Sequence, residues 1–421
     1  MHKFYLTNNL GGGGTNVSRF VDYKQLFDLP NIGLLLNYYY LSCKAKIKFD
    51  TKLLQKITSY DHIGTFLNDA KVEFSKSRFV SDEFNQNLLP TNINGYMLDN
   101  GCGNILRDLL QANNYTTDSI HDLVEPFHDF AEQLHFDFAI ALDCAMKYTY
   151  KDKENQDKQL TKLWKELASD KDKNLALINT TLEIAANKQY THGIYAPIHG
   201  FNYDSFADYL ESILKAENKN YHKFDGFALG GIADARQLKN EIWGVPNKIN
   251  KDIKSAYIVS RLCNQVRKVT QRPLHVLGAG TIYTLPFIIN AGASSSDCHS
   301  AWRRSSDGGY DKAKILVPLL NDNLEFINDH DALQFVHIKN LKDEYQFDFG
   351  LSIPELKKLF QSENKEDFYF AEIITFYAAI KQYNLLIRYC QEKADYIQCL
   401  SQSPDKVLNA DYQKLAETLK L

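Results

Sequence analysis

The chain has 421 residues, 44% hydrophobic and 24% charged, the composition of a globular protein and not of a natively disordered or collagen-like chain. Forty-eight Lys plus Arg against 52 Asp plus Glu give a net charge of −4, so any nucleic-acid partner must be held by a local basic patch and not by global charge. The length suits two or three domains of about 150 residues, or one α/β barrel with additions.

The N-terminal MHKFYLTNNLGGGG lacks the positive stretch and apolar run of a secretory signal. The longest apolar runs, such as Leu34 to Leu41, fall well short of the ~20 residues that cross a bilayer. Seven cysteines, at positions 43, 102, 144, 263, 298, 390 and 399, are scattered without a CxxC pair. That spacing fits neither a disulfide framework nor a Cys-rich zinc site. A cytoplasmic protein without a membrane segment is expected.

Residues 1–33 are expected to lie outside the regular repeat. Their GGGGT reads as a loop, because a phosphate cradle needs GK[ST] after it. Eight short apolar runs ending in Gly, Asp or another turn residue follow: Leu34 to Leu41, Gly95 to Gly101, Phe136 to Cys144, Gly193 to Gly200, Gly226 to Ala233, Pro273 to Gly280, Gly292 to Cys298 and Ala313 to Pro318. Such runs suit strands buried on both faces. Helical spacing is present over Asp118 to Gln133, Asn155 to Asn187, Tyr203 to Glu217, Asn250 to Gln271 and Thr281 to Asn290. The balanced Lys and Asp/Glu of residues 150–175 suggest a solvated helical face. Alternating strands and helices predict an α/β fold, and eight units favour a (β/α)8 TIM barrel with insertions over an open doubly wound sheet. The barrel is expected over residues 1–345, with a helical C-terminal subdomain over 346–421, where helical spacing is clear from residue 353.

In such a barrel the C-terminal strand ends line the site. Here they carry Asp99, Asp143, His199, Gly230, Gly231, Leu277 to Gly280 and Asp297. A single Asp after a strand is commonly a turn or N-cap residue; three at matching ends suggest a shared mouth. GAGT at Gly278 to Thr281 could be read as a dinucleotide loop, but Tyr283 occupies the place of the last glycine in GxGxxG.

Six segments in order resemble the tRNA-guanine transglycosylase superfamily. LDNGCGN (Leu98 to Asn104) is similar to its DSGGFQ motif, ALDCAMKY (Ala141 to Tyr148) to FDECTPY and APIHG (Ala196 to Gly200) to GIxQG. FDGFALGGIAD (Phe224 to Asp234) resembles FDGYAxGGLAxGE, RPLHVLGAGT (Arg272 to Thr281) resembles PxYLMGVGT, and GASSSDCHSAWRRSSDGG (Gly292 to Gly309) resembles the nucleophile segment. The resemblance spans about half the chain and itself implies a barrel. It implies exchange of guanine for a 7-deazaguanine at a nucleoside. Asp297 would attack C1′ and hold the sugar covalently, and Asp99 would be the general acid/base. Asp143, His199 and the Gly230-Gly231 turn, through the Gly231 N–H, would read the guanine edge, with Leu277 over one face. His199 replaces the family's Gln and must present a proton to O6.

Several departures bear on the branch. The CxCxxC zinc ligands are missing, since residues 310–345 hold no cysteine, and His330 and His337 read as ordinary polar residues. No metal and no cofactor is expected. Gly103 replaces the stacking aromatic, leaving Tyr195 or Trp302 for that task, and Arg236 replaces the acceptor of an aminomethyl group, which favours a 7-cyano base. Together with AWRRSS, these features favour the branch that modifies DNA, with tRNA as the alternative substrate. Accessory proteins could be needed to open the duplex. Arg303, Arg304 and Lys312, with Lys314, could hold backbone phosphates or form a solvated loop. A non-catalytic nucleic-acid-binding partner subunit is a further alternative, although it would have no need of three acidic residues at one mouth.

Overall fold

The computed structural model describes residues 1–8, 29–39, 60–63, 65, 95–101, 120–144, 171–200, 202–232, 240–241, 243–246, 249, 251–298, 300, 310–327, 332–347, 351–403 and 406–420. Eight parallel strands close into one barrel: β1 (Lys3–Asn8), β2 (Ile32–Asn37), β3 (Tyr96–Asp99), β4 (Phe138–Ile140), β5 (Gly193–Ile198), β6 (Gly226–Leu229), β7 (Leu274–Val276) and β8 (Ser295–Cys298). They neighbour one another in chain order, and β1 pairs with β8 to complete the ring. Helices α1 (Val124–Gln133), α2 (Lys171–Lys188), α3 (Tyr203–Asn220), α4 (Lys251–Arg267) and α5 (Leu285–Asn290) follow β3, β4, β5, β6 and β7 in turn. This is a (β/α)8 TIM barrel.

The expected number of strands is observed, but one member differs. Ala313 to Pro318 is not a barrel strand: Lys314–Leu316 forms β9, paired antiparallel with β10 (Phe335–His337) in a separate two-stranded sheet. The missing barrel strand is KFYLTN at the N-terminus, in residues expected to lie outside the repeat. Its polar Lys3, Thr7 and Asn8 break the continuous apolar run that marked the others. Pairing on both edges, with Phe4 against Ile32 and Ser296, still completes the ladder. The GGGGT segment, the helical reading over 155–170 and most of the 150–175 charge run lie outside the described residues.

Strand side chains alternate between the two faces of the barrel wall. Phe4, Leu6, Ile32, Leu34 and Leu36 join the large core beneath the helices. Tyr5, Leu35, Met97, Ile140, Tyr195 and Ala228 form a separate buried cluster, one residue from each of the first six strands, with Phe138 and Leu277 against it. This inner layer is the floor beneath the mouth.

The lower rim is tied by Arg272, just before β7. Its guanidinium forks onto the Glu217 carboxylate of α3 at 2.5 and 2.9 Å and also donates to the Phe224 carbonyl at 2.7 Å. The C-terminal residues are helical, as expected: α6 (Ile353–Gln361), α7 (Lys365–Glu392), α8 (Tyr396–Ser401) and α9 (Lys406–Leu419). Ser352 and Glu355 form a reciprocal capping box at the start of α6. α7 packs on the barrel: Tyr383 lies 4.3 Å from the Phe4 ring of β1, and the Gln382 amide binds Leu319 N–H, Leu320 N–H and Leu320 C=O. α7, α8 and α9 therefore share the barrel's core, whereas Ile353, Leu356 and Phe360 of α6 join a separate cluster with Ile315 of β9.

Candidate active site

Asp297 is the inward-facing residue near the C-terminal end of β8, and it is 4% exposed. Among the described residues, three donors hold its carboxylate. Oδ1 accepts the Gly278 N–H at 2.8 Å and a hydrogen bond from His275 Nε2 at 3.1 Å, and Oδ2 accepts the Thr7 hydroxyl at 2.8 Å. Gly278 adopts φ +67°, which turns its amide onto Asp297 in a conformation that disfavours a side chain. An ionised carboxylate only accepts hydrogen bonds, so His275 must carry its proton on Nε2.

Asp99 closes β3 in register with Asn37, the last residue of β2. Asn37 Nδ2 donates to its Oδ2 at 2.7 Å, and the other end of that amide is fixed by the Tyr39 N–H at 3.1 Å. Burial, then the charges of Asp297 and Asp143, push the Asp99 carboxyl up to about 7, against the lesser opposing pull of its hydrogen bonds to Asn37 and Asn100. The three acidic residues expected at the strand ends are therefore brought together, close enough for their charges to couple.

Asp143 lies just past β4. Its Oδ1 accepts Asn100 Nδ2 at 3.0 Å and its Oδ2 meets His199 Nε2 at 2.5 Å. This contact changes the expected part of His199. The Nε2 proton is directed at Asp143, and Nδ1 is buried with no hydrogen-bond partner among the described residues. His199 can then offer a second N–H only as an imidazolium with Asp143 as its counter-charge. Gly230, whose amide bonds the Ile198 carbonyl, lies against this ring: a Cβ there would come within 2.8 Å of His199 Cε1. Gly231 is exposed and Leu277 half-buried, both at the same rim.

Tyr195 does not serve as a stacking face. It is 3% exposed and belongs to the inner layer below the mouth, packed on Phe138 with ring centroids 5.0 Å apart. A residue four positions before His199 on the same strand face is too deep to meet a base. Trp302, Arg303, Arg304, Gly103, Arg236 and His330 lie outside the described residues. Lys312 is exposed beside β9, and Lys314 pairs with His337 across the β9–β10 ladder. Among the described residues, no group of three His, Cys, Asp or Glu side chains is arranged to hold a metal ion. No described helix is long and apolar enough to cross a membrane.

Sequence reading missed Thr7, Asn37, Asn100 and His275. Two of these carried a usable signal: a lone polar residue on the inward parity of an apolar strand, as in LLLN and LHV, requires a polar partner inside the barrel. Chemically, the mouth offers a carboxylate fixed by three donors, a second carboxyl that titrates near neutrality, and a buried carboxylate–imidazole pair beside a glycine. No protein-family model and no curated protein sequence matches the chain.

Proposed function

We propose that this barrel is a guanine transglycosylase that replaces guanine in DNA with a 7-deazaguanine, in particular the uncharged 7-cyano form. One observation carries the reading: Asp99, raised to about 7, lies near the firmly held carboxylate Asp297. Two carboxyl groups whose surroundings assign one to proton transfer and the other to nucleophilic attack are the equipment for double displacement at a glycosidic carbon.

In the first half, a carboxylate oxygen of Asp297 bonds to C1′ as the C1′–N9 bond breaks. The electron pair leaves with the base, and the Asp99 proton neutralises it. In the second half, Asp99 takes the N9 proton of the incoming base. N9 bonds to C1′, and the ester's electron pair returns to Asp297. The charge of Asp297 favours the oxocarbenium-like state on both passages. Asp143 and His199 recognise the base edge: a carboxylate accepts from N1–H and the 2-amino group, and imidazolium donates to O6. Adenine reverses that pattern and leaves the polar groups unpaired.

The DNA assignment is supported by the missing cysteine ligands in residues 310–345 and by the basic AWRRSS segment. A duplex guanine must leave the stack to reach the mouth. The test is transfer of radiolabelled guanine into duplex DNA and into bulk tRNA. Label is expected in DNA and absent with Asp297→Asn. Label in tRNA alone would keep the chemistry and replace the polymer; equal incorporation by Asp297→Asn would refute the nucleophile.

A further inference from the structure

We infer that His275, a residue outside the expected site, is a positioning residue that sets the lifetime of the sugar ester on Asp297; this rests on the transglycosylase reading above. His275 is fully buried on β7, in register with Ser295 of β8. Its ring spans two inward residues of the neighbouring strand, with Nδ1 2.9 Å from Ser295 Oγ and Nε2 3.1 Å from Asp297 Oδ1. The acceptor at Asp297 requires Nε2–H, so Nδ1 accepts the Ser295 hydroxyl, and the ring has one tautomer and one orientation. Tyr5 meets its face edge-on, with centroids 5.8 Å apart.

Among the described residues, Oδ1 of Asp297 receives two donors, Gly278 N–H and His275, and Oδ2 receives one, the Thr7 hydroxyl. Oδ2 is therefore the oxygen left to bond C1′, and Oδ1 becomes the ester carbonyl oxygen. When the ester collapses, the C1′–Oδ2 bond breaks, its electron pair returns to the carboxylate, and the incoming base bonds C1′. Donors fixed at Oδ1 strengthen as that charge returns, and so make Asp297 a better leaving group. They do not assist the first attack, for which a less solvated carboxylate is the better nucleophile. Removing His275 should slow the second half selectively.

The test uses duplex DNA, with tRNA in parallel, saturating radiolabelled guanine to read turnover, and end-labelled polymer to read the adduct. It reads kcat, KM and the share of protein carried as a covalent adduct on a denaturing gel. His275→Leu, of similar volume, is expected to lower kcat about 10- to 100-fold with little change in KM. Its adduct share should rise several-fold, a change that loss of packing alone would not produce. His275→Gln, whose amide N–H can reach Asp297, should restore both values towards wild type. His275→Asn, with a shorter reach, replaces the Leu variant if that variant fails to fold. An adduct share that stays level or falls with kcat overturns the inference while leaving the transglycosylase reading intact. Wild-type protein that forms neither product nor adduct on either polymer overturns both. Ring-nitrogen NMR provides an arm independent of turnover: the His275 proton is expected on Nε2, and a proton on Nδ1 overturns the inference.

Discussion

At the scale of single residues, the most informative quantity is the proton on Asp99. Its pKa moves from 3.8 to about 7 on folding, so between those values the folded state binds a proton that the unfolded chain has released. Stability then falls as pH rises through that window and levels off above it, a total cost of roughly 4 kcal/mol. Asp99→Asn removes the ionisation and keeps a group that can bond Asn37. Its melting temperature should exceed that of wild type by a margin that grows from pH 4 to pH 7 and is constant above. A margin independent of pH would show that the carboxyl titrates normally. In turnover, the acid form serves the leaving base and the ionised form serves the incoming one, so exchange should peak near pH 7 and vanish in Asp99→Asn. For His199, bound to Asp143 at 2.5 Å, His199→Gln should retain exchange, because an amide N–H can take the place of an imidazole N–H. A folded but inactive variant would count against His199 reading the base.

At the scale of elements, strand parity assigns tasks. Asp297, Asp99, His199, Gly230 and Leu277 share the inward parity of their strands, so one barrel wall presents all five at a common rim. Gly230 marks the tightest point. Gly230→Ala would place a methyl 2.8 Å from His199 Cε1 and 3.1 Å from Nδ1, forcing the ring off Asp143. The fold should survive, with exchange falling and discrimination against other bases weakening; unchanged discrimination would remove His199 from base reading. Below the wall, Arg272 and the Phe224 N–H hold the buried Glu217 carboxylate. Arg272→Ala should cost about 3 kcal/mol in chemical denaturation, since it leaves a desolvated charge poorly matched. A loss under 1 kcal/mol would show that water reaches the carboxylate.

At the scale of the whole molecule, the C-terminal helices stabilise the strand that completes the site. Tyr383 of α7 packs on Phe4, three residues before Thr7, and Thr7 holds Asp297. Tyr383→Ala should destabilise the protein by about 3 kcal/mol, in the range of large aromatic truncations. The loss should appear in the barrel's cooperative unfolding and not as separate melting of the helices. Two resolved transitions would mean that the helices fold independently of the barrel.

The amino-acid sequence by itself determined the rhythm of the fold and the acidic residues at its strand ends. Short apolar runs and turn residues are local signals, and burial on both faces imprints them on each strand separately. Tertiary structure decided what depends on register between distant segments. Thr7 and Asp297 are 290 positions apart, and only closure of β1 against β8 makes them partners. The same closure brought KFYLTN into the barrel and left Ala313 to Pro318 to a separate sheet, because an edge must be satisfied by whichever strand can reach it. The raised pKa of Asp99, the tautomer of His275 and the binding of His199 to Asp143 likewise follow from distances that no local pattern encodes.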